Sequence, residues 1–447
     1  MKIKKYTIIF FFLFLVISFF SIWTAISGGY DKQNKVILFL KNSIPNSVSR
    51  KIRDVFFIIP DLKTQNKILN LQVEKFEQGY DGTLFQEKKT ESSEKNYSYK
   101  NFFLPFPRLD LRAGYAATKN STRAHYLEVI QDKVLVISGL GQTIFFEKKN
   151  IFNNKLNQIE IPNNIKDEIL NKNNYKLIGI RDLFHEKNYL YISLLFESTD
   201  GISQNIYRAK LDYNKLNFKL FFETKEYWKE FNVFSGGRIE KFKDNKILYS
   251  IGYSSVKGAA QDKNSLLGKI ISINTDTSSY ELVSIGHRNP QGLTYIDDLN
   301  LIINTEHGPL GGDEINFNYY TKKVIPNYGW DIASYGVPYI GKDIYKKSHK
   351  DYGFVEPFKN FDPAIGISEI IFLNKDISPS KKDTLFVSSL RAGSIYEIEL
   401  NSNLSKIMKE SRFKFGDERI RDIEYDSELN AIFIIFEYTP SIGILKL

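Results

Sequence analysis

"DKVLVIS", residues 132 to 138, is a polar turn running straight into a β-prone stretch, and the chain repeats the pattern. "KNYLYIS" starts at Lys187, "DNKILYS" at Asp244, "DLNLIIN" at Asp298, "KDTLFVS" at Lys382 and "LNAIFII" at Leu429. Turn residues followed by alternating or continuous β-branched and aromatic residues predict strands. Most of these stretches follow another short strand ("IGIRDLF", "GGRIEKF", "QGLTYI", "SEIIFL", "RIRDIEY"). Most also precede a third ("QTIFFEK", "NIYRAKLD", "GKIISIN", "DEINFN", "GSIYEIEL", "SIGILKL"). The result is six three-strand units, each with room for a fourth, more variable strand. Their spacing of roughly 45 to 60 residues is that of propeller blades. Two sandwiches could use the same strands, but regular repetition favours an all-β, six-bladed propeller over residues 102–447. One interval, between the fourth and fifth units, is longer and holds a Tyr- and Gly-rich insertion, residues 319–353. Insertions in repeat folds gather on one face, often the binding face.

The bulk composition agrees. A chain of 447 residues is long enough for one large repeat fold, and its 35 Phe and 27 Tyr suit β structure. The net charge of +9 is spread over single lysines, with no dense basic stripe interleaved with aromatics, so nucleic acid is not an expected partner. There is no Cys, which excludes disulfides, thiolate metal sites and Cys nucleophiles.

At the N-terminus a short basic stub with Lys2, Lys4 and Lys5 precedes an apolar run from Tyr6 to Trp23. Eighteen residues at about 1.5 Å each span about 27 Å, close to the hydrocarbon core of a bilayer. Residues 1–27 are therefore expected to be an uncleaved transmembrane signal-anchor, although Ala25 and Ser27 offer a small-residue cleavage site. The lysines stay inside and the rest is exported, on the periplasmic side in a Gram-negative cell. Residues 28–101 read as a membrane-proximal segment. It includes a short amphipathic helix from Asp61 and a flexible polar linker from Gln86.

Four polar stretches stand at comparable places before or between strands: "GHRNPQGL" at 286, "TEHGPLGGDEIN" at 305, "SSLRAGSIY" at 388 and "DERIRDIEY" at 417. Loops entering the inner strands of a propeller converge on its channel, so these distant residues can meet. Gly308, Gly311 and Gly312 let the backbone turn and expose carbonyls, and with Asp313 or Glu314 these suit a hard cation such as Ca²⁺. His287 and His307 match no compact zinc spacing. Arg419 and Arg421, two apart on a strand, share a face. With Arg288 and Arg391 they bring four guanidinium groups to one channel. A ligand with several carboxylates, or internal acids such as Asp417, Glu418 and Asp422, must answer them.

Together "GHRNPQGL", "EHGPLGGDEIN", "NYGW", "AQDKNSLLGKIISIN" and "RIRD" resemble, in order, the motifs of the soluble sugar dehydrogenases that use pyrroloquinoline quinone (PQQ), the glucose/sorbosone dehydrogenase family. The likeness covers roughly residues 120 to 447 and implies a six-bladed propeller. It implies Arg288 beside the quinone's reactive carbonyl, with Asn289, Gln291, Arg391, Arg419 and Arg421 binding the cofactor. It implies a Ca²⁺ on the carbonyls of Gly308 and Pro309, helped by Tyr328, with Asp313 as the nearby acid. The substrate would be an aldose or similar alcohol, and the electrons would pass to a respiratory acceptor.

The sequence departs from the pattern at the general base. A His expected near "GLLGxAxHP" meets Leu183 in "KLIGIRDLFHEKNYLYIS". His185, two residues on, and Asp182 are the substitutes, and Ser235 stands where relatives often carry His. An enzyme is one reading, and a propeller that binds the ligand without turnover is the other. A propeller hydrolase would need more channel carboxylates than Asp313 and Glu314.

Overall fold

The computed structural model describes residues 85–92, 96–106, 124–229, 234–339, 341–416, 418–438 and 440–447. The expected membrane anchor and the helix from Asp61 lie outside them. Among the described residues no helix is long and apolar enough to cross a membrane.

Six antiparallel sheets make the blades. Blade 1 comprises His125–Ile130, Lys133–Ser138, Thr143–Glu147 and Ile159–Ile161, counted from the channel outward. Blade 2 comprises Lys176–Glu186, Tyr189–Glu197, Ile202–Lys210 and Lys219–Glu223. Blade 3 runs from Gly236–Phe242 through Lys246–Ile251 and Lys269–Asn274 to Tyr280–Ile285. Blade 4 has Pro290–Ile296, Leu301–Glu306, Asp313–Tyr319 and Lys359–Phe361, and blade 5 has Ile367–Leu373, Thr384–Ser389, Ser394–Leu400 and Ile407–Lys414. Each inner strand packs on the next, and that of blade 6 packs on blade 1, so the ring closes.

Blade 6 is where the structure corrects the sequence reading. Ile420–Asp426, Ala431–Phe436 and Ser441–Lys446 are joined by Ser98–Phe103 and then Phe85–Lys89. Phe85–Lys89 and Ser98–Phe103, where a linker was expected, thus supply the outer strands, and the propeller takes in residues before 102. The polar composition misled because outer strands face water and need few apolar residues. Tyr99 and Phe102 alternate onto buried faces, and Phe102 is fully buried. This pairing ties the front of the propeller to the last strand of the chain, closing the ring non-covalently.

Among the described residues six apolar clusters fill the seams between neighbouring blades. Leu135, Ile180 and Leu194, for example, join blades 1 and 2, and Phe102, Val134 and Phe433 join blades 6 and 1. The apolar residues of each strand are therefore consumed between blades, and polar residues are left for the channel. The Tyr/Gly-rich insertion leaves blade 4 before that blade's outermost strand, rather than falling between blades. It folds over the loop at 286, with the amides of Tyr328 and Trp330 donating to the carbonyls of Ile285 and Gly286.

Candidate functional site at the channel mouth

The inner strands share a local irregularity that builds the site. Register breaks between Ile180 and Asp182, Gly236 and Ile239, Pro290 and Gly292, Ile367 and Ile370, and Ile420 and Asp422. Blade 1's inner strand pairs without a break. A β-bulge inserts an extra residue and re-aims its side chain. The residues inserted here include Arg181, Arg238, Gln291, Glu369 and Arg421, all buried. Five blades therefore each point a polar side chain at one level of the channel.

Arg238 is the hub. Its guanidinium lies 2.7 Å from Asp182, 2.7 Å from Glu369 and 2.9 Å from Asp422, and it stands over the ring of Tyr126. Its Nε donates to the Gln291 carbonyl at 2.7 Å. Burial pushes the carboxyl of Asp182 up to about 7, against the pull of Arg238. Glu369 is likewise pushed up by burial, to about 8.

The next tier is linked to it. Arg421 donates to the Gln291 side-chain carbonyl at 2.8 Å and to Glu437 at 2.6 Å, and Arg419 donates to the other oxygen of Glu437 at 2.7 Å. Burial works the other way, yet Arg421 and Arg419 hold Glu437 well below the usual carboxylate range. Gln291 donates to Asn289, which also accepts from the Gly236 amide. Arg288 is gripped differently: its guanidinium sits 4.4 Å from the Phe234 ring and 5.1 Å from Trp330, and it donates to the His307 carbonyl at 2.9 Å. Its Nε is buried without a partner, as are Nε and Nη2 of Arg181 and Nδ1 of His125. Burial lowers His125 to about 4, so its ring is neutral near pH 7.

The structure brings Arg288, Asn289, Gln291, Arg419 and Arg421 together, as the sequence suggested, and it separates others. His185 lies at the far end of its strand, three residues beyond Asp182 or about 10 Å. Its amide serves the Glu128 carboxylate there, so it does not reach the mouth. Asp182 does reach the channel, but Arg238 and the Ile239 amide occupy both its oxygens. Arg391 is exposed, and among the described residues its side chain joins no ion pair.

Asp313 accepts from the amides of Gly308, Gly366 and Ile367, one bond on one oxygen and two on the other, stitching blade 4 to blade 5. The Tyr328 hydroxyl donates to the Phe317 carbonyl, and its ring stacks on His287. His287 is fully buried and spent on Ser284 and Glu306, which closes the zinc reading. Among the described residues no three His, Cys, Asp or Glu side chains gather as a metal-holding group. The carbonyls of Gly308 and Pro309 accept no hydrogen bond among the described residues and keep their capacity for a hard cation.

Arg181, Arg238, Glu369, Glu437 and His125 were missed. Each sits inside or just after a strand pattern, where a single charge reads as a solvent-facing position. The one available signal was the Gly-Gly before Arg238, since paired glycines in a strand mark a bulge.

Fold and site together define a six-bladed propeller with an arginine-rich channel mouth. The family model for glucose/sorbosone dehydrogenase matches residues 176–442, and the chain belongs to that family. An uncharacterised Synechocystis protein is 29% identical over 270 residues, covering 55% of this chain and 64% of that protein. An aldose sugar dehydrogenase of Escherichia coli is 29% identical over 204 residues, covering 42% and 53%. The chain thus spans less than two thirds of either relative. The PQQ-bound aldose sugar dehydrogenase of Streptomyces coelicolor superposes with a TM-score of 0.54 at 19% identity, covering 73% of this chain and 94% of that one. That likeness is one of fold.

Proposed function

We propose that this chain is an exported, membrane-anchored quinoprotein dehydrogenase that oxidises an aldose sugar or similar alcohol at the channel mouth, using PQQ and Ca²⁺. The observation that carries the reading is a set of buried guanidinium N–H groups at the mouth that have no partner among the described residues. Nε and Nη2 of Arg181 and Nε of Arg288 are buried and unused, and Arg421, held by Glu437 and Gln291, lies close to Arg181. Unused guanidinium donors in a buried site suit a polyanion, and PQQ carries three carboxylates.

When bound, PQQ supplies the two-electron acceptor for hydride leaving the alcohol carbon. Arg421 and Gln291, already hydrogen-bonded to each other, offer one rigid edge for carboxylate binding, and Asn289 orients Gln291. Arg288 is clamped between aromatic rings, so its positive charge is in place for developing negative charge without reorganisation. With Asp313 and the Tyr328 hydroxyl committed elsewhere, Ca²⁺ ligation by the protein narrows to the carbonyls of Gly308 and Pro309. The run Tyr6–Trp23 would anchor the propeller outside the cytoplasm, within reach of a respiratory acceptor.

One observation favours a second reading, a propeller that binds the ligand without turnover: neither proposed base, His185 or Asp182, is available at the mouth. A titration of the full-length protein with PQQ, with and without Ca²⁺ and followed by absorbance, tests both. A panel of aldoses with an artificial acceptor comes next. Saturable binding with sugar-dependent reduction supports the dehydrogenase. Saturable binding with no reduction by any aldose supports the binding module. Absence of binding sinks both.

A further inference from the structure

The bulge on blade 2 holds an arginine to which neither the sequence motifs nor the family likeness gives a role. Arg181 is 4% exposed, and its Nε and Nη2 have no hydrogen-bond partner. It occupies the same bulged place on its strand as Gln291 and Arg421 do on theirs. Tyr126 and the Glu437 carboxylate lie near enough to favour its charge, and Arg421 near enough to disfavour it. Room for it is made by Gly237, whose φ is +115° and where an added Cβ would stand 2.5 Å from the Cβ of Arg181. Burying a cation with unused donors beside a second cation costs free energy that Tyr126 and Glu437 offset only in part, since neither fills the two unused donors.

We propose that Arg181 is a carboxylate-binding residue of the channel mouth, the blade 2 counterpart of Arg421. The inference rests on the reading of the mouth as an anion site. Two unused N–H groups on neighbouring nitrogens of one planar guanidinium match the two oxygens of a carboxylate. That carboxylate belongs either to the cofactor or to an acidic sugar, and the test separates the two.

Full-length wild type, Arg181→Met, Arg181→Lys and a surface control, Lys246→Gln, are titrated with PQQ in the absence of sugar, and the Tm of each apo protein is measured. Arg181→Met is expected to bind PQQ about tenfold more weakly or worse, with Arg181→Lys in between and the control unchanged. Its apo Tm is expected to equal or exceed that of wild type, because a buried charge with two unused donors beside a second cation has been removed. Equal PQQ affinity in wild type and Arg181→Met overturns assignment to the cofactor. So does an apo Tm well below wild type, which makes Arg181 a structural residue. If wild type binds no PQQ, the cofactor reading fails by itself, and D-glucuronate becomes the probe. A rise in Tm with glucuronate that wild type shows and Arg181→Met lacks upholds the proposal with an acidic sugar as ligand. An equal response in both proteins refutes it.

Discussion

Arg238 touches three carboxylates, two carbonyls and one aromatic ring, and this crowding sets what its loss would do. Arg238→Met strands Asp182, Glu369 and Asp422 together in the channel. Removing one partner of a buried ionic cluster typically costs about 3–5 kcal/mol. Urea denaturation is expected to show a loss of that order at pH 8 and a smaller one at pH 5, where the carboxyls accept protons. An equal loss at both pH values would count against the cluster as drawn. Glu437→Gln is expected to lower stability by a similar amount, since it leaves Arg419 and Arg421 facing each other.

At the scale of the element, the bulges and the closing strands matter most. Gly237 takes a left-handed φ inside the blade 3 bulge and faces Arg181. Gly237→Ala combines backbone strain with a steric clash, each worth about 1–3 kcal/mol. It is expected to lower Tm and to disturb Arg181, whereas Gly258→Ala, at a left-handed turn with open space, should show the strain alone. In blade 6, Phe102 lies fully buried on the strand that comes from the front of the propeller. Phe102→Ala is expected to cost about 3–5 kcal/mol. A chain starting at residue 104 is expected to aggregate through the bared edge of Ser441–Lys446, while one starting at 84 stays monodisperse in gel filtration.

For the whole molecule, the channel makes stability depend on pH in two opposed ways. Asp182 rises from an ordinary carboxyl to about 7, and Glu240 and Glu369 to about 8, chiefly through burial. Their unfolded forms ionise first, so stability present below about pH 4 is lost as pH climbs through 7 and 8. Glu437 is held low by its arginines, so its contribution is present above the usual Glu range and is lost as pH falls from that range down through its own, much lower pKa. The urea midpoint is therefore expected to peak in mildly acidic buffer, falling toward pH 8.5 and again below pH 4. A polyanion bound at the mouth raises Tm by mass action. If PQQ is that ligand, the shift should shrink with added salt.

The repeat of turn and apolar strand, from Asp132 to Leu429, determined the six blades, because each strand's alternation dictates which faces must be buried against a neighbour. The loop at 286 and the pair Arg419 and Arg421 were legible for a related reason: motif residues stay adjacent in the chain. What sequence could not show is where a side chain points after a bulge. Arg181, Arg238, Glu369 and Glu437 look like solvent-facing strand positions, yet a one-residue register shift in each blade, or the partner strand beside it, turns them onto the channel axis. His185 stands two residues beyond the motif position, and strand length carries it about 10 Å past Asp182. The polar strands at Phe85–Lys89 and Ser98–Phe103 acquire their structure only when the last strand of the chain offers its open edge. Local alternation is a property of consecutive residues, whereas bulge register, ring closure and charge partners depend on contacts between segments up to hundreds of residues apart.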